Sequence, residues 1–181
     1  MTVPAAGICT LAPWRPDHTA ALVAEANDAA VSANLRNTFP YPYGPGDAAD
    51  WIAGCLTEDP VRNFAILVDD VVVGGAGLNV LDDVEAGTAE IGYWLGRRHW
   101  GKGIATAALT ALTGYAFATF DLRRIHAGVY SWNPASARVL EKAGFVLEGR
   151  LREAVVKRGR VGDVLVYARL RSEATSGANF R

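Results

Sequence analysis

The stretch NFAILVDDVVVGGAGLNVL, residues 63–81, constrains the fold more than any other. Two apolar, β-branched runs meet across Asp69-Asp70, which is the pattern of an antiparallel hairpin. A further strand follows in TAEIGYWLG. On it Ala89, Ile91, Tyr93 and Leu95 point one way, and Glu90, Gly92, Trp94 and Gly96 the other. From about Lys102 to Phe120 the period becomes helical, with Ile104, Ala108, Ala111, Leu112 and Tyr115 as the buried stripe. RRIHAGVY reads as a strand, and NPASARVLEKAG as a helix with Asn133 as N-cap, Pro134 in the first helical position and Gly144 as the left-handed stop. Two long strands around KRGR close the pattern.

Upstream, ICTLAPW reads as the first strand. Asp17 is the expected cap of a helix through Leu22, Val23 and Ala26, and Asp47 that of a helix carrying Trp51, Ile52 and Leu56. A run of strands between helices predicts an α/β (α+β) fold: a mixed, mostly antiparallel central sheet of about seven strands, flanked by helices on both faces. A doubly wound parallel sheet does not fit. The expected organisation is one domain over residues 1–171, with 172–181 as a disordered tail.

The chain has 181 residues, a size for one real core, and a formal net charge of −1. That charge gives no global field for nucleic acid or an anionic membrane. The first residues lack the pattern of a signal peptide, and no stretch reads as a membrane span. Cys9 and Cys55 form no disulfide or metal-binding spacing, and His18, His99 and His126 are scattered. A cytoplasmic, metal-free protein is expected.

Against that plain background RRHWGKGIATAAL, residues 97–109, carries more charge and flexibility than a strand-to-helix connector requires. Amides at a helix N-terminus lack carbonyl partners and carry the positive end of the helix dipole, so they favour phosphate. Gly101 and Gly103 let the backbone approach a bulky anion, and Arg97, Arg98 and Lys102 add charge. The same residues also suit a flexible, solvated helix start. A magnesium-dependent phosphate loop would need Ser or Thr after Lys102, where Gly103 stands. A dinucleotide fingerprint would need Gly or Ala where Thr106 stands. Neither a nucleotide hydrolase nor a dinucleotide enzyme fits.

The stretch does resemble the acyl-CoA-binding motif of the GCN5-related N-acetyltransferases, an Arg or Gln followed by x-x-Gly-x-Gly or Ala, with Arg98, Gly101 and Gly103 in those places. The resemblance extends through AEIGYWL, NPASARVLEKAGF, EGRLREAVVKRGRVGDVLVYAR and the early FPYPYGPGDAADWI, from roughly Leu11 to Leu170. It is greatest to the branch containing the ribosomal-protein N-terminal acetyltransferases. It implies an acyl-CoA cosubstrate, acetyl-CoA or one with a longer acyl group, held by Tyr93, Trp94, Leu95, Arg98, His99, Trp100, Gly101, Lys102, Gly103, Ile104, Ala105 and Asn133. It also implies an amine acceptor, either a protein N-terminus or a small molecule, and it raises the expectation of a homodimer.

Acyl transfer to an amine needs a neutral nucleophile, donors for the oxyanion and a proton or dipole for the departing thiolate. Glu90, on the strand entering the loop beside Gly92 and Gly96, is the candidate base; a paired structural charge is the alternative. The implied oxyanion donors are amides around Tyr93 to Leu95. Many relatives use a tyrosine as acid in the helix that here lacks one, so Ser136 takes that role by resemblance, with Tyr130 in reserve. Asn133 and Ser136 are also ordinary helix-start residues. No cysteine has a paired base, which favours direct attack in a ternary complex. FPYPYGPGD either lips the acceptor site or anchors to the core through Phe39 and Tyr41. The basic group Arg150, Arg152, Lys157, Arg158 and Arg160 is either a solvated face or a dock for an acidic partner. A CoA-binding sensor or interaction module without turnover is the competing function.

Overall fold

The structure, a computed structural model, describes residues 2–176. Its strands are β1 (Val3–Ala5), β2 (Cys9–Pro13), β3 (Asn63–Val68), β4 (Val71–Val80), β5 (Thr88–Leu95), β6 (Arg124–Tyr130), β7 (Val146–Lys157) and β8 (Arg160–Leu170). Its α-helices are α1 (Thr19–Ala26), α2 (Ala29–Ser32), α3 (Pro45–Cys55), α4 (Ile104–Thr119), α5 (Pro134–Lys142) and α6 (Arg171–Ser176). The strands form one mixed sheet in the order β1-β2-β3-β4-β5-β6-β8-β7. By internal contacts the chain divides into two compact units. One holds residues up to Gly77 together with Tyr93–Leu112, and the other holds Leu78–Gly92 together with Thr113 onward.

In the first unit β1, β2, β3 and β4 pair antiparallel in chain order. The hairpin at Asp69-Asp70 is present, with both residues at positive φ (49° and 60°), the geometry of a two-residue turn matched to strand twist. The sheet has eight strands rather than about seven, because a turn through Ala6 and Gly7 (φ 50° and 68°) folds the short β1 back on β2. Trp14, Leu22, Tyr43, Ala48, Ile52 and Leu67 belong to this unit's core, and Phe39 and Trp94 pack against it. Phe39 lies 4.9 Å from the ring of Tyr43 and 5.5 Å from that of Trp94. Of the two residues expected to anchor the FPYPYGPGD loop, Phe39 does so with Tyr43; Tyr41 is exposed.

Two expected caps are different residues. A 3-10 turn over Pro16–His18 precedes α1, so Asp17 lies inside that turn and pairs with Arg15 at 2.9 Å. For α3 the N-cap is Gly44. Asp47 sits three residues on and its carboxylate accepts from the Gly44 amide at 2.8 Å, the reaching-back half of a capping box.

In the second unit β5 and β6 pair in parallel, while β6, β8 and β7 pair antiparallel. Helix α5 keeps its predicted punctuation. Asn133 Oδ1 accepts from the Ser136 amide at 3.2 Å, Pro134 opens the helix, and Gly144 stops it at φ +82°. Arg169 Nη1 donates to the Ala143 carbonyl at 2.8 Å, fastening the end of that helix to β8. The tail expected to be disordered from 172 is instead helical through Ser176. Arg171, at its start, donates to the Phe120 and Leu122 carbonyls at 2.9 and 2.5 Å, which anchors the helix. Residues 177–181 lie outside those described.

His18 is 5% exposed; its Nδ1 accepts from the Arg15 amide at 3.3 Å, and its Nε2 has no hydrogen-bond partner among the described residues. Burial pushes its pKa below the ordinary 6.5, with Arg15 acting in the same direction and Asp17 against it. As pH falls below 6.5 the unfolded chain binds a proton at this residue before the native chain does, so native stability declines with acidity in that window. Urea titrations across that window are expected to show a shallower decline for His18→Gln than for the parent. An equal slope contradicts the assignment.

Candidate active site

The end of β5 and the start of α4 build a candidate donor-binding loop, and all of it lies in the first unit. Gly96 donates its amide to the Val73 carbonyl at 2.9 Å, which fixes where the strand ends. A 3-10 turn over Arg97–His99 follows, closed by the His99 amide on the Gly96 carbonyl at 2.9 Å. Trp100 is extended, and its indole Nε1 donates back to the Leu95 carbonyl at 2.9 Å. The chain then passes through Gly101 at φ +74° and Gly103 at φ +80°. No heavy atom lies within 4 Å of where a Cβ would stand on either, so glycine is favoured by backbone conformation alone and the space beside it is open.

The bond from the Ala107 amide to the Gly103 carbonyl (3.1 Å) opens the helical ladder. The amides of Ile104, Ala105 and Thr106 therefore precede any intrahelical acceptor, at the positive end of a 16-residue helix. Gly101, Lys102 and Gly103 are exposed, while Ile104 is buried and seats the helix. Exposed backbone donors, a nearby cation and no side chain in the way are what an anion such as pyrophosphate requires.

The charges are arranged differently from a simple basic patch. Arg98 donates through Nη2 to Glu25 Oε1 and through Nε to His99 Nε2 (3.0 Å). An open groove beside this group is lined by Ala24, Glu25, Asp28, Arg97 and Arg98. Gly96 does not contribute to a free slot, because the Glu25 side chain packs on its Cα.

The second unit holds Glu90, Asn133 and Ser136. Glu90 is half-buried and stands in parallel register with His126, so the two side chains leave neighbouring strands on one face. Burial pushes His126 below its ordinary pKa, with Arg124 acting in the same sense and Glu90, Glu85 and Glu148 opposing. Gly92 is exposed with open space beside it, as the expected slot requires. Asn133 spends its side-chain oxygen on the helix cap, which leaves its amide hydrogens for other work. Just before it the Trp132 ring packs at a tilt against Tyr130, 5.0 Å between centroids, and lies under Arg160 at 4.6 Å. Among the expected basic group, Arg150 pairs with Asp163 and Lys157 is buried, so the final hairpin is not a uniformly free cationic face.

Both free cysteines are buried. Burial raises the pKa of Cys9, and burial with Glu58 nearby pushes Cys55 up to about 12.

A family model for the acetyltransferase (GNAT) domain matches residues 9–146. The chain belongs to the GNAT acetyltransferase family. It is 42% identical over 129 residues to the N-acetyltransferase p20 of Bacillus licheniformis, covering 70% of this chain and 72% of that one. It is 37% identical over 109 residues to the ribosomal-protein-serine acetyltransferase of Escherichia coli, covering 60% of each. Among solved structures, RimL, a ribosomal L7/L12 α-N-protein acetyltransferase in complex with coenzyme A, superposes with TM-score 0.83 at 25% identity, over 94% of this chain and 98% of that one.

In this acetyltransferase two residues of the site's surroundings had no local signal. Glu25 stands 73 residues from Arg98, and His126 meets Glu90 only through strand register. Gly103→Ala is expected to cost about 1–2 kcal/mol in urea-measured stability, because it forces a Cβ into the left-handed region. Unchanged stability would contradict the positive φ.

Proposed function

We propose that this acetyltransferase moves the acetyl group of acetyl-CoA to a primary amine, the N-terminal amine of a protein above all, by direct attack in a ternary complex. The observation that carries the donor is the open, left-handed Gly101-Lys102-Gly103 turn ahead of the first-turn amides of α4. It offers fixed dipoles to a pyrophosphate at no reorganisation cost. The similarity to ribosomal-protein acetyltransferases supports the acceptor.

In this reading Tyr93–Leu95 and Arg98–Ala105 cradle the donor, and Asn133 binds it with its spare amide hydrogens. The amine nitrogen attacks the thioester carbon; the C–N bond forms and the C–S bond breaks. Glu90 takes a proton from the amine, directly or through a water. Backbone amides near Tyr93–Leu95 receive the oxyanion. The Ser136 hydroxyl gives a proton to the departing thiolate and recovers one from solvent. We place the reaction in the cytoplasm, where two unpaired thiols such as Cys9 and Cys55 stay reduced.

Release of free thiol from acetyl-CoA, followed with peptides bearing free or blocked N-termini, tests the proposal. Turnover with free N-termini only is expected. Glu90→Gln should lower kcat by about 10²-fold or more, the range of a general base. Full activity in that variant removes Glu90 from the role. No thiol release with any amine, alongside CoA binding, favours the binding module.

A further inference from the structure

Behind the donor loop lies a carboxylate with little contact with water. Glu25, in the last turn of α1, is 3% exposed. It can be there because Gly96 has no side chain: a Cβ on Gly96 would overlap Oε2 and lie 2.8 Å from Cδ. A carboxylate so placed needs a cationic or hydrogen-bonding partner. Arg98 supplies one, and His99 Nε2 stands 3.4 Å from the same Oε1. That nitrogen also stands 3.0 Å from Arg98 Nε, so the guanidinium forks between the carboxylate and the imidazole.

The inner partner is buried and the outer one is not, since the Arg98 side chain is 68% exposed. A surface arginine on a flexible stem explores many rotamers; one tied by two donors, to a buried carboxylate and to an imidazole, has few. Arg98 lies three residues ahead of Gly101, in the turn that delivers the chain to the open glycines. Fixing its guanidinium therefore fixes the entry to the loop and the direction of the cation's exposed edge.

We propose that Glu25 is a positioning residue for the donor, acting through Arg98 and His99 on the Gly101–Gly103 turn. The inference rests on the reading of that turn as the pyrophosphate site of CoA. Calorimetric titration of the parent, Glu25→Gln, Arg98→Gln and the double variant with CoA, and with pantetheine, which lacks the pyrophosphate and nucleotide, tests it. Glu25→Gln is expected to weaken CoA binding about tenfold, the loss of a charge-assisted hydrogen bond, with pantetheine binding unchanged. The double variant should lose no more than Arg98→Gln alone, because both act through one contact. Should Glu25→Gln fail to fold, Glu25→Asp, which keeps the charge but draws it back from Arg98, is read in its place, with a loss again confined to CoA. Parent-like CoA affinity in whichever of these variants folds overturns the proposal while the loop reading stands, as does an equal loss for CoA and pantetheine, which marks a general structural defect. A parent protein that binds CoA no more tightly than pantetheine removes the loop reading and this proposal with it.

Discussion

A helix that starts at Ile104 begins with amides that no carbonyl of its own can reach, and the arrangement of the first unit follows from that. Such amides must face water or an anion. Ile104 is buried and holds the helix end in place, while Gly101, Lys102 and Gly103 remain in solvent. Two left-handed glycines then turn the chain from β5 into the helix without a side chain over the donors. The Trp100 indole, bonded back to the Leu95 carbonyl, ties the turn to the strand it leaves.

Charge is added sparingly. With a formal net charge of −1 the molecule has no global attraction for a polyanion, so any attraction for the donor's phosphates is local. Arg98 shares its charge with Glu25, which leaves Lys102 and the backbone dipoles as the cationic features of the turn itself. A site that depends on oriented amides more than on long cationic side chains loses little conformational entropy when it binds.

Much of this was legible where the determinants are local. Asp69-Asp70 specified a hairpin because a two-residue turn constrains its own φ values. Asn133, Pro134 and Gly144 bounded α5 because cap, entry and stop act within a turn of the helix. Ambiguity began where two local solutions compete. Asp17 and Asp47 are both good cap residues, but Pro16 starts a 3-10 turn before Asp17, and Asp47 reaches back to Gly44. Strand β1 was missed because three residues, Val3–Ala5, carry no periodicity of their own and exist only as partners of β2. Helix α6 was missed because small, polar residues read as a tail, whereas Arg171 anchors them to the Phe120 and Leu122 carbonyls. The loop and its glycines could be found in the sequence, but the carboxylate behind Gly96 could not, since nothing in LVAEAND marks Glu25 as the partner of an arginine far along the chain.

The amides from Gly101 to Thr106 are the groups proposed to receive the pyrophosphate. Residue-resolved amide hydrogen exchange, measured with and without CoA, is the decisive measurement. Exchange at these positions is expected to slow on addition of CoA, more than at the turn at Asp69-Asp70. Exchange that stays unchanged from Gly101 to Thr106 while CoA is bound would contradict that role.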